Sequence, residues 1–295
     1  MTSDITDKIL LSFDVEHWYL GFKYRGITGW QEDKWRDYQN IENILSILEN
    51  FNTKATFFIT GKYAEDYPDT VESIASQGHD IGCHGYSHKF IYHQTPTEFE
   101  NDIKLAVSIL SKLSWKPIRC FRAPGWSITK DSLWALEIIE KMGFIYDSSI
   151  YPIFNHRYGL FNAPAGFYII KFSDNRSLVE LSPQTLSLFK CKIPVGGGIY
   201  LRLMPFWINR LAFNQDNKSG IPGRVMLHPH ELDPKPPKLK VPFETWLIRY
   251  FRIRSVSSIL QRMLEEYDCI SYEQYYERIS INQLPVVDFT SLKTK

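Results

Sequence analysis

KILLSFDVE, residues 8–16, is a short apolar run that ends on two acids, and a segment of helical period follows it: Asp37 to Phe51, with Ile41, Ile44, Leu45 and Leu48 on one face. The same unit recurs down the chain. KATFFIT starts at Lys54, HDIGCH at His79, IRCFRAP at Ile118 and FIYDSS at Phe144. Helix-end signals separate these runs: Pro68 to Gln77 closed by Gly78, a capping box at Thr97 and Glu100, and Asp131 to Met142 closed by Gly143. Strands joined by helical crossovers form a parallel sheet buried on both faces. No GxGxxG follows the first strand, which moves weight from a dinucleotide fold to a barrel, where reactive groups gather at the carboxyl ends of strands. The pattern predicts an α/β fold, a distorted (β/α) barrel of about seven parallel strands with a C-terminal helical extension.

Beyond about residue 155 the rhythm changes to β-like pieces at Phe167–Phe172 and Leu178–Leu181, the run Gly196–Gly198, and the strand RVMLHPH from Arg224. The Pro-rich stretch Pro229–Pro242 is the natural seam. It divides a catalytic barrel, residues 1–235, from an extension, residues 236–295, packed on the same domain. In that extension Phe243–Tyr267 carries an apolar stripe at helical spacing flanked by Arg249, Arg252, Arg254 and Arg262. Packing on the barrel is the favoured reading of this helix, and docking on a membrane surface or on a partner is the alternative.

Composition narrows the function classes. A 44% hydrophobic fraction over 295 residues supplies one large core. The net charge of +1, without a polybasic block, lacks the electrostatic footprint that nucleic acid requires. No stretch approaches the ~20 apolar residues of a membrane span, and the first residues lack a leader pattern, so a cytoplasmic protein is expected. Cys83, Cys120, Cys191 and Cys269 are isolated and read as reduced core thiols. Aromatic content is high, with 17 Tyr, 19 Phe and 8 Trp, side chains that suit sheet cores and sugar faces alike.

The residues able to do chemistry stand at the predicted strand ends. Asp14 and Glu16 are two apart on an extended chain and share a face. His84 and His88, in HGYSH, are spaced i and i+4. Carboxylates with two imidazoles suit Zn²⁺, Co²⁺ or Ni²⁺ with positions left for water and substrate. Arg122, in FRAPG, is a surface arginine or a guanidinium fork that holds a carboxylate. Asp147, in YDSS, is a turn former or a partner that raises the pKa of a histidine. His228 is a core histidine or a catalyst. Trp18, Tyr19, Trp126 and Tyr151 flank these positions and could stack on a sugar, and Gly197 could let substrate approach the backbone.

FDVEHW, HGYSH, FRAPG, YDSSIYP and LHPHELDP, in that order over roughly residues 8–235, resemble the motifs of the polysaccharide deacetylase family, also described as the chitooligosaccharide deacetylase homology domain and carbohydrate esterase family four. With GGGIYLRLMP they further resemble a branch associated with exopolysaccharide and exosortase loci. The resemblance implies a metal-dependent hydrolase that removes an N-acetyl group from an amino sugar, carried by a glycan, a lipid or a nucleotide. It implies that Asp14 is the general base, that Arg122 braces it, that His84 and His88 bind the metal, and that His228 is the general acid. The family's first motif has two adjacent aspartates, the second a ligand. Here Val15 takes that place, so Glu16 becomes the expected carboxylate ligand, with His17 the weaker candidate. Peripheral membrane contact fits such a substrate. The rival readings are a deformylase or cyclic-amide hydrolase on the same scaffold, and a non-catalytic carbohydrate-binding descendant.

Overall fold

The structure, a computed structural model, describes residues 7–155, 157–173, 176–189 and 191–294. β1 (Lys8–Val15), β2 (Thr56–Ile59), β3 (Asp80–Cys83), β4 (Cys120–Phe121) and β5 (Tyr146–Asp147) are the apolar runs that open the five repeated units. β6 (Phe167–Lys171), β7 (Ser177–Leu181), the hairpin β8 (Thr185–Leu188) and β9 (Cys191–Pro194), β10 (Gly223–Leu227), β11 (Asp268–Ile270) and β12 (Val286–Asp288) follow. In space β10, β1, β2, β3, β4, β5 and β7 lie side by side, and every neighbouring pair is parallel. These are the seven parallel strands the repeat predicts. β6 then adds antiparallel to β7.

The ring is open between β7 and β10, and side chains bridge the gap. Buried Arg224 on β10 donates to the carbonyls of Ser182 and Pro183 just beyond β7, and it also pairs with Asp216. Gln184 accepts from the Arg224 amide at 3.0 Å and donates to Asp216 at 2.7 Å. The glycine run lies against the same strand, with the Met226 amide bonded to the Gly196 carbonyl at 3.0 Å. Gly196 is left-handed (φ +74°), and a Cβ there would stand 2.4 Å from the Arg224 carbonyl, so no larger residue fits.

Several local expectations change. The helix after β3 begins at Pro96 and is capped by Thr95 with Glu98, two residues before the expected box, because Pro96 occupies the first helical turn, where its missing N–H costs nothing. The C-terminal segment is two helices, Phe243–Tyr250 and Ser255–Glu266, with Arg252 left-handed between them. Arg202 donates to the carbonyls of Ile248 and Phe251, taking acceptors that a continuous helix would use. The extension also enters the sheet: β11 pairs with β1 and β12 with β6. Cys83, Cys120 and Cys269 are buried free thiols, whereas Cys191 lies exposed on the two-stranded hairpin, away from the core. Among the described residues no helix is long and apolar enough to cross a membrane.

Candidate active site

β1 carries the first pair of acids to the carboxyl edge of the sheet. Val15 turns into the hydrophobic core, fully buried, so Asp14 and Glu16 on either side of it share the opposite face. Asp14 lies beneath the Arg122 guanidinium, Oδ1 to Nη1 2.6 Å. Arg122 is fixed on every side: it donates to Ser12 Oγ at 3.0 Å, Ser148 Oγ at 3.2 Å and Tyr272 Oη at 3.1 Å, and it stacks 4.0 Å above the Phe58 ring. Burial alone would raise the pKa of Asp14, but Arg122, then His84 and His228, outweigh it and hold the carboxyl below its ordinary value. Asp14 is therefore a buried, ionised, oriented carboxylate.

The loop after β3 supplies the imidazoles. His84 Nδ1 lies 2.7 Å from the Arg122 carbonyl, which places the proton on Nδ1 and leaves the Nε2 lone pair aimed at the site, 3.9 Å from Asp14 Oδ2. Burial, only partly opposed by Asp14, lowers its pKa to about 4, so His84 is neutral at pH 7. His88 adopts φ +55°, a costly conformation for a side-chain-bearing residue, and packs between His84 and the Tyr24 ring. Its Nε2 is 2.7 Å from Glu16 Oε2. Among the described residues Glu16 Oε2, outside that ion-pair contact, and His88 Nδ1, on the far side of the ring, are both buried without a hydrogen-bond partner. Burial pushes the Glu16 pKa up, yet His88 beside it brings the carboxyl down to about 2.

Among the described residues no three His, Cys, Asp or Glu side chains form a ready metal-gripping cluster. They rest instead as two pairs, Asp14 with His84 and Glu16 with His88. The donors nonetheless fit a divalent ion: one ionised carboxylate with an orphaned oxygen and one neutral imidazole with its free nitrogen fixed inward. Glu16, His84 and His88 are the residues that would hold it.

His228 stands just past β10, its side chain 24% exposed, with Nδ1 3.3 Å from Glu231 Oε2. Burial lowers the imidazole pKa, but Glu231, then Glu16 and Asp14, raise it more, and the net shift is upward. The expected partner of His228, Asp147, is elsewhere. Asp147 sits fully buried on β5, opposite Glu180 on β7, and accepts from Ser149 Oγ at 2.5 Å. Burial raises the pKa of both carboxyls above the ordinary carboxylate range, that of Glu180 the more. His230 is held neutral by burial and by Arg249. His17 pairs with Asp66 at 3.0 Å.

The expected sugar contacts divide. Trp126, Tyr151 and Gly197 line one cavity beside Arg122 and Tyr272. Trp18 is buried among Tyr19, Leu20 and Phe22, with its carbonyl taken by Arg249, and has no face to offer a ligand. Glu231 and Tyr272 were not singled out from the sequence. The spacing of His228 and Glu231, three apart, is a capping-box signal, whereas Tyr272 reaches Arg122 across 150 residues with no local sign.

The arrangement sets the Asp14–Arg122 ion pair beside the imidazoles of His84 and His88, with His228 close enough to both acids to feel their charge. Residues 26–146 match the family model described as polysaccharide deacetylase. Residues 148–277 match a domain of unknown function, DUF3473. The deacetylase-domain match thus holds His84, His88 and Arg122, and the second match holds His228. Among curated relatives, the chain is 37% identical over 102 residues to a peptidoglycan-N-acetylglucosamine deacetylase of Bacillus cereus, covering 34% of this chain and 37% of that one. It is 30% identical over 103 residues to a chitooligosaccharide deacetylase of Azorhizobium caulinodans, covering 34% and 47%. The matches span 37%, 45% and 36% of the first three relatives' lengths. Two solved structures share the fold: a protein from Mycobacterium smegmatis described as a polysaccharide deacetylase (TM-score 0.64, 19% identity, 96% and 94% of the two chains) and an allantoinase (TM-score 0.54, 14% identity, 99% and 90%).

Proposed function

We propose that this deacetylase-domain protein hydrolyses the N-acetyl group of an amino sugar, on a glycan or on a lipid-linked or nucleotide-linked precursor, with a divalent ion at Glu16, His84 and His88. The observation that carries the reading is the presence of two oriented pairs at the carboxyl edge of the sheet, Asp14 with Arg122 and His228 with Glu231. Amide hydrolysis needs a base for the attacking water and an acid for the departing nitrogen. A carboxylate has its pKa held down by Arg122 and is a weak base, so the water must itself be made more acidic, which is the chemistry a divalent ion supplies while also polarising the acyl oxygen. Asp14 then takes the proton of the water, and its fixed orientation directs that transfer. His228, kept protonated by Glu231, gives its proton to the amine, a poor leaving group without it. Trp126, half-buried at the cavity, offers the sugar ring a face, whereas Tyr151 is buried with its hydroxyl turned to the Gln184 carbonyl, and Gly197, lacking a side chain, lets the ring approach β10. The buried thiols of Cys83, Cys120 and Cys269, free in the structure, support a reducing, cytoplasmic setting.

The test is acetate release by zinc-, cobalt- or nickel-loaded protein from N-acetylated amino sugars, run beside N-formyl sugars and cyclic ureides. Acetate from the first group is the expected outcome. Turnover of the ureides alone would assign the rival hydrolase reading, and sugar binding with the acetyl groups intact would assign the non-catalytic one.

A further inference from the structure

Five large apolar side chains stand out in water: Phe154 (84% exposed), Phe161 (46%), Phe189 (106%), Phe243 (76%) and Trp246 (43%). Single exposed apolar residues are ordinary, but a connected set is not. These are connected. The Phe154 and Phe161 rings meet edge to face, 6.4 Å apart. Lys192 on β9 donates to the Phe161 carbonyl, which joins that loop to the β8–β9 hairpin whose tip is Phe189. Arg157, in the same loop, pairs with Glu244 at 3.5 Å, beside Phe243 and Trp246, which stack on each other. Tyr158, the next residue, packs against Trp126 and Tyr151 at the cavity. The apolar set therefore adjoins the cavity that Trp126 and Gly197 line.

Charge is concentrated beside it. The whole chain carries only +1, yet between residues 234 and 254 the exposed side chains include Lys235, Lys238, Lys240, Arg252 and Arg254 against a single acid, Glu244, already paired with Arg157. The lysine strap is pinned to the aromatic helix, because Tyr250 donates to the Pro237 carbonyl at 2.7 Å and accepts from the Leu239 amide at 3.1 Å. Aromatic side chains on a loop, a hairpin tip and a helix, with cations around them, match a surface that is apolar within and anionic outside. A lipid bilayer with acidic headgroups has that profile, since aromatic rings settle at the headgroup level and basic side chains gain from the surface potential.

We propose that these five side chains and the cations around them form a docking face for an anionic lipid surface. The docking does not depend on the reaction assigned above. The test is co-sedimentation of the full chain with phosphatidylcholine vesicles, with and without phosphatidylglycerol. Binding is expected to the phosphatidylglycerol vesicles, weakening as salt screens the surface. Each of Lys235→Gln, Lys238→Gln and Lys240→Gln should weaken it about fivefold. Phe189→Ser and Phe243→Ser, at side chains too exposed to support folding, should weaken it on the same vesicles and leave hydrolysis of a water-soluble substrate unchanged. Three results would overturn the proposal: no binding to phosphatidylglycerol vesicles at low salt, binding indifferent to both serine substitutions, or a dimer in sedimentation velocity that Trp246→Ser converts to monomer, which would make the face a contact between copies.

Discussion

Nη1 of Arg122 lies 2.6 Å from Oδ1 of Asp14, and the two side chains are only 2% and 6% exposed. Removing one partner of such a pair leaves the other as an unpaired buried charge. Arg122→Gln should therefore lower stability by about 3 to 5 kcal/mol in denaturant unfolding. The carboxyl of Asp14 is held down in the folded state, so its contribution is present above the unfolded carboxyl pKa and is lost as pH falls through the folded one. The variant should lack that acid-side loss. Unchanged stability would mean that Asp14 is not ionised there.

Zinc affinity tests the two resting pairs. Loss of an outer partner of a ligand typically costs ~10- to 100-fold in affinity, and loss of a ligand costs more. His84→Ala, His88→Ala and Glu16→Ala should each weaken zinc binding in titration calorimetry by well over ~100-fold. Asp14→Asn should keep the metal. If Asp14→Asn loses it and Glu16→Ala does not, the carboxylate ligand is Asp14.

The pH profile tests the acid. Because the His228 pKa is raised mainly by Glu231 against the opposing effect of burial, Glu231→Gln should move the alkaline limb of kcat/KM to lower pH. His228→Ala should remove that limb and slow turnover ~100-fold or more while metal content stays intact. An unmoved limb in both variants would place the acid elsewhere.

The carboxyl pair behind the site gives an opposite pH signature. Asp147 and Glu180 have raised pKa values in the folded state, chiefly through burial, so the folded protein binds more protons than the unfolded chain above the ordinary carboxyl range. Stability should fall as pH rises from about 4 through about 6 and beyond. Glu180→Gln should flatten that fall, measured as the unfolding midpoint across pH.

Much of this was legible in the sequence because the determinants are local. An apolar run, a helix-end signal and a polar residue at the run's end located β1 to β5, and with them Asp14, His84, His88 and Arg122, and the late run RVMLHPH located β10 and His228. What escaped depends on distant neighbours. Trp18 has the look of a sugar platform until Tyr19, Phe22 and Arg249 are seen to enclose it. Asp147 shows no sign of Glu180, because that pairing depends on β5 lying beside β7, with β6 at the outer side. The break after Tyr250 comes from Arg202, about fifty residues earlier, and closure of the barrel comes from Arg224 and Gln184, whose partners no periodicity announces.

The central claim is that Asp14 is the base of an amide hydrolysis. Its most direct test is acetate release from a chitooligosaccharide by zinc-loaded wild-type protein and by Asp14→Asn, with bound zinc quantified in the same samples. The account predicts one free amine per acetate from the wild type, and release at least ~100-fold slower from a variant that keeps its zinc. Wild-type rates from a zinc-loaded Asp14→Asn would contradict it.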